Sequence, residues 1–145
     1  MKKIAAFCLT LLIVGCTTTG RHYLRNMTDN DALITISFDN AIQISDSTNS
    51  RYVYEPKLKT IKFALYKRLK QNLKVIQLSN KQLQFTLPAK STAYLGVGQN
   101  TRLWGFNSIT IQSLNSVDTM NCKNSEELII KRHGLLSYTA HYDIK

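Results

Sequence analysis

From Tyr23 onward the apolar residues arrive in short runs, each closed by Asp, Asn, Ser, Gly or Pro, and this punctuation restricts the chain to a fold of short strands. Residues 33–38 show it best. Ile34, Ile36 and Phe38 alternate with Leu33, Thr35 and Ser37, the period of a half-buried strand. Residues 23–28 read as a first strand, ended by the turn residues Asp29, Asn30 and Asp31. Asp39 and Asn40 read as a tight hairpin turn from 33–38 into Ile42-Gln43-Ile44, and residues 45–50 as a polar loop. Residues 51–54 form a short strand stopped by Pro56. Residues 73–78 and 83–87 flank Ser79-Asn80-Lys81 as a second hairpin. Residues 92–98 read as a strand ending in glycines, 106–114 alternate around Ile109 and Ile111, and 115–125 read as irregular. Residues 128–132 and 135–142 make a closing hairpin about His133 and Gly134.

One segment departs from this pattern. Leu58, Ile61, Leu65, Leu69 and Leu73 recur at spacings of three and four, which predicts an amphipathic helix over 58–71. Lys59, Lys67, Lys70 and Lys74 would lie opposite the stripe, and Lys62 intrudes on it. About eight to ten short strands with one helix predict an all-β antiparallel sandwich over residues 21–145, Ig-like or transthyretin-like. A small barrel is the alternative. The Cys and Trp spacing of true immunoglobulin domains is absent.

The N-terminus is of another kind. Lys2 and Lys3 precede an apolar run from Ile4 to Val14, about 11 residues, too short for the roughly 20 that cross a bilayer as a helix. A basic start, a short apolar run and small residues at its end make a secretory signal over residues 1–15. Ile13-Val14-Gly15-Cys16 resembles the lipobox of bacterial lipoproteins. The resemblance covers residues 1–16. It implies cleavage before Cys16, a diacylglycerol thioether on Cys16, and an acylated new N-terminus. Two or three acyl chains anchor stably where one does not. In such lipoproteins an Asp after the Cys often retains the protein in the inner membrane; Thr17 stands here, so the outer membrane is expected. The tether, residues 16–20, also lacks the acids that mark surface export in some lineages, which points to the periplasmic side.

Processing leaves Cys122 as the one unmodified thiol, so no intramolecular disulfide forms, and packing must supply the stability. Cys122 is expected to be a buried small hydrophobe. The net charge is +10, and loss of Lys2 and Lys3 leaves +8. Between Glu55 and Asp118 lie Lys57, Lys59, Lys62, Lys67, Arg68, Lys70, Lys74, Lys81, Lys90 and Arg102, with no acid among them. Such a stretch serves as a solvated face, or as a surface for anionic headgroups, polysaccharide or an acidic partner. Lys59, Lys67, Arg68, Lys70 and Lys74 are the residues expected to bind there. Nucleic acid is the poorest partner for an exported, tethered chain.

No catalytic pattern emerges. His22, His133 and His141 have no second ligand at i, i+4, and Cys122 has no CxxC partner, so neither metal nor cofactor is implied. A Cys122–histidine pair is conceivable only across the fold. Gly96-Val97-Gly98 lacks the helix and further glycine of a phosphate cradle. Tyr52, Tyr54, Tyr94, Trp104, Phe106, Tyr138 and Tyr142 read as core or cross-strand aromatics, with Trp104 beside Arg102 either closing the sandwich end or anchoring a partner. The expected function is a non-enzymatic envelope lipoprotein that tethers or scaffolds an assembly. The alternatives are a polyanion-binding module built on residues 57–102 and, third, an enzyme with dispersed residues. The oligomeric state is left open.

Overall fold

The computed structural model describes residues 18–42, 52–62, 64–99, 102–103, 105–114, 116–123, 128–133 and 137–145. Residues 1–17, which include the expected export signal and Cys16, the loop residues 43–51, Trp104 and Gly134 lie outside the described residues. The strands, in chain order, are β1 (Thr19–Asn26), β2 (Ala32–Phe38), β3 (Val53–Glu55), β4 (Gln71–Asn72), β5 (Ile76–Ser79), β6 (Gln82–Leu87), β7 (Thr92–Gln99), β8 (Arg102–Leu103), β9 (Phe106–Gln112), β10 (Val117–Asn121), β11 (Ile129–Arg132) and β12 (Ser137–Ile144).

These strands form the expected sandwich. One sheet runs β11-β12-β1-β7-β3-β4, with β8 also on β7, and the other runs β10-β9-β2-β6-β5. Alternation decides which residues meet between them. Ala32, Ile34 and Ile36 of β2, Leu83, Phe85 and Leu87 of β6, and Ile109 and Ile111 of β9 all point inward and are buried. Leu24, Ala93, Leu95 and Ile144 of the first sheet close on them. Each fully buried Leu, Ile or Phe contributes about 1.5–3 kcal/mol of apolar transfer, so this layer stabilises the fold without a disulfide. Cys122 is buried in the same cluster, as its role in packing requires.

The first and last strands are neighbours. β1 and β12 pair in parallel from Thr19↔Ser137 to Asn26↔Ile144. On its other edge β1 pairs antiparallel with β7, and the register shifts between His22 and Tyr23, so that Leu95 and Gly96 share the place opposite His22. Gly96 takes φ +142 at this bulge, a backbone conformation that L side chains rarely adopt. Gly20 sits under the ring of Tyr138, which occupies the space of a side chain at residue 20. Asn26 closes the far end of β1, donating from Nδ2 to the carbonyls of Asn30 and Leu87 at 2.8 and 3.1 Å.

Three expectations are corrected. The 58–71 helix is replaced by extended chain and one 3-10 turn, Leu65–Arg68. A helix there would set Lys59 against Lys62, Lys67 against Lys70 and Lys70 against Lys74, with no acid inside the helix to compensate. β6 and β9 occupy both edges of β2, so Ile42 is not paired with β2 as the expected hairpin of 33–38 with 42–44 requires; residues 43 and 44 lie outside the described residues. Ile42 instead donates its amide to the Asn80 carbonyl at 2.7 Å. Residues 117–121, expected to be irregular, pair with β9 as edge strand β10.

Candidate functional site

The candidate site is the outer face of the first sheet and the basic segment laid over it. Pro56 ends β3 and the chain then crosses that face. Ile61, Leu65 and Leu69 are buried against Tyr23 of β1, with Val53, Tyr66 and Tyr94 around them. The spacing that suggested a helix is thus satisfied by a strap that drops one apolar side chain onto the sheet every four residues.

Polar contacts hold the strap. The Lys59 amide donates to Thr92 Oγ1 at 3.0 Å, and the Tyr66 amide donates to the Tyr23 hydroxyl at 3.2 Å. The guanidinium of Arg21 lies 4.1 Å from the centroid of the Tyr66 ring. Burial pushes the Tyr23 phenol up to about 12 and raises that of Tyr94, so both remain neutral donors and acceptors.

A pocket of about 260 Å³ opens in the strap, lined by Lys59, Thr60, Lys62, Ala64, Leu65 and Arg68. Lys59 Nζ lies 3.4 Å from Glu55, which Lys57 also approaches at 4.0 Å. Among the described residues neither Lys62 nor Arg68 has a carboxylate within ion-pair distance.

Of the residues expected to bind, Lys59 and Arg68 meet at this pocket. Lys67 is exposed beside it, 6.0 Å from the Tyr66 ring centroid. Lys70 is exposed and does not line the pocket. Lys74 stands elsewhere, against Leu33, Ile76 and Gln84 at the border of the second sheet. Cys16 lies outside the described residues. Lys62, which interrupted the apolar stripe, turns out to be a pocket wall. Arg21 and Arg25 were absent from the expected set, although Arg21-His22-Tyr23-Leu24-Arg25 alternates in the period that puts both arginines on one face.

Further along that face, Arg25 grips Asp143 with two bonds, Nε to Oδ1 at 2.7 Å and Nη2 to Oδ2 at 2.5 Å. His141 Nε2 lies 3.2 Å from the same guanidinium and 3.8 Å from Asp143. Burial first, then Arg25, lowers the His141 pKa, while Asp143 opposes them. An imidazole facing a guanidinium stays neutral, so the group reads as a structural clamp between β1 and β12. On the inner face, His22 Nε2 meets the Tyr138 hydroxyl at 3.1 Å, and burial lowers the His22 pKa to about 4. His133 Nε2 bonds Thr139 Oγ1 at 2.9 Å. The described residues contain no group of three His, Cys, Asp or Glu able to hold a metal.

The second sheet presents an opposite outer face. Its outward residues are Leu33, Thr35 and Ser37 on β2, Gln82, Gln84 and Thr86 on β6, Ser108, Thr110 and Gln112 on β9, and Val117, Thr119 and Asn121 on β10. No charge occurs among these strand residues, and Lys74 borders them, lining a pocket with Leu33, Gln84 and Thr86. Cross-strand bonds such as Gln84 Nε2 to Thr35 Oγ1, 3.2 Å, tie the amides and hydroxyls to each other.

Comparison with known proteins gives no relative: no family model, no curated protein and no solved structure matches the chain.

Proposed function

We propose that this protein is a non-enzymatic, lipid-anchored module of a bacterial envelope that holds an assembly at the membrane, with its basic strap turned toward the anionic surface. The observation that carries the reading is the division of charge between the two outer faces. Arg21, Lys62, Lys67 and Arg68 gather over one sheet, whereas the outward strand residues of the other sheet are neutral, with Lys74 at their border. An anionic bilayer attracts nearby cations by about 1 kcal/mol each, and one-sided cations make that attraction an orienting force. The short tether supports the same arrangement. β1 opens at Thr19, three residues after Cys16, which is roughly 10 Å of extended chain. Thr17 favours the outer membrane and its periplasmic side. Cys16→Ala should end labelling by a fatty-acid probe and move the protein out of the membrane fraction; equal labelling of the variant would overturn the anchor.

A second reading is recognition of a polyanion, such as lipopolysaccharide or a cell-wall polymer, by the same basic stretch. The pocket of Lys59, Lys62 and Arg68 favours it. Capture of the protein on such polymers should weaken steeply as salt rises, and salt-independent capture would argue against it.

A further inference from the structure

We infer that the pocket of Lys59, Thr60, Lys62, Leu65 and Arg68 is a binding site for a phosphate group, carried as an ester on a lipid headgroup or an envelope polymer. The inference rests on the second reading above and names its ligand. A phosphate ester presents several acceptor oxygens on one centre. Arg68 supplies a planar fork suited to two of them, Lys62 an ammonium, and Thr60 a hydroxyl donor. Lys59 is partly neutralised by Glu55 at 3.4 Å. Lys62 and Arg68 therefore carry the attraction.

The backbone beneath the pocket is held in place, while the side chains of Thr60, Lys62 and Arg68 are exposed. The Lys59 amide is fixed to Thr92 at 3.0 Å, and the Leu65 amide donates to the Lys62 carbonyl at 3.0 Å. Leu65 anchors the base at 5% exposure. The pocket volume of about 260 Å³ leaves room for the phosphate and the first atoms of its ester.

The test uses the mature lipidated protein in a neutral detergent at fixed ionic strength, observed by amide and methyl NMR. Three ligands are titrated: inorganic phosphate, glycerol phosphate, and the same micelles doped with phosphatidylglycerol. Expected are saturable shifts at Thr60, Lys62 and Leu65, with acetate at equal ionic strength producing none. Lys62→Gln with Arg68→Gln should weaken binding about tenfold or more, while Lys74→Gln with Lys81→Gln leaves it unchanged. Response to glycerol phosphate identifies a polymer-type ester as sufficient; response to doped micelles alone identifies the lipid headgroup. Absence of saturable shifts at Thr60 and Leu65, or equal binding by the double variant, overturns the site. If salt-sensitive capture on anionic polymers survives that result, only the pocket is lost. If the capture fails too, the polyanion reading falls with it.

Discussion

Arg21 lies over the ring of Tyr66, and this stacking fastens the basic strap to the strand that opens three residues after Cys16. The same strand supplies the strap's second fastening, the Tyr23 hydroxyl that accepts the Tyr66 amide. The strap's cations are thus held to the strand that follows the N-terminal segment directly.

Tyr23→Phe should leave the aromatic packing in place and orphan the Tyr66 amide. A lost hydrogen bond at a partly buried amide costs about 1–2 kcal/mol. Hydrogen exchange at Tyr66 should quicken, with little change at Leu83 or Ile109 in the main core. Equal exchange in both proteins would show that the strap is held by its apolar residues alone.

Gly20→Ala should destabilise the pairing of β1 with β12. The added methyl would fall on the Tyr138 ring, which must leave and release His22 Nε2. Overpacking of this kind costs about 1–3 kcal/mol. Thermal denaturation measures it, and an unchanged midpoint would mean that the ring moves freely.

His22 makes stability depend on pH. Its folded pKa is about 4, against 6.5 unfolded, so below 6.5 the unfolded chain takes up a proton that the folded one refuses. The contribution is fully present above pH 6.5, is lost as pH falls toward 4, and changes no further below that. Its size is on the order of 3 kcal/mol. His141, lowered by burial and Arg25, acts in the same direction. His22→Gln should flatten the denaturation free energy between pH 4 and 6.5. A variant as acid-sensitive as the parent would place the effect elsewhere.

Arg25 and Asp143 are half-buried partners across the parallel pair, with side-chain exposures of 20% and 12%. Asp143→Asn leaves the guanidinium beside His141 without its counter-charge. Loss of a partner in a fully buried pair costs about 3–5 kcal/mol, and solvent access at this site reduces that to roughly 2. Denaturant titration of the variant checks it; a loss below about 0.5 kcal/mol would mark the pair as an ordinary surface contact.

Most of the strands were legible because their inward residues are strongly apolar at period two, as Ile34 and Ile36 show. β10 was not, since an edge strand needs one buried residue, Met120, and its neighbours Asp118, Thr119 and Asn121 read as loop. The turn signal after β2 says nothing about which distant strands fill its edges, and β6 and β9 fill both. The strap was misread because Ile61, Leu65 and Leu69 dock on Tyr23 at helical spacing without a helix. The pocket was half legible. Lys59 and Arg68 stood out by charge, but Lys62 joins them, and Lys74 leaves, only through the path of the folded chain.

The proposed orientation turns the strap side, and not the second sheet, toward an anionic surface. Co-sedimentation of residues 17–145 with vesicles of phosphatidylglycerol, compared with neutral phosphatidylcholine and repeated across salt, tests it most directly. The account predicts binding to the anionic vesicles alone, weakening with salt, lost in Lys62→Glu with Lys67→Glu and Arg68→Glu, and kept in Lys74→Glu with Lys81→Glu. Equal loss in both variants, or no salt-dependent binding by the parent, would contradict it.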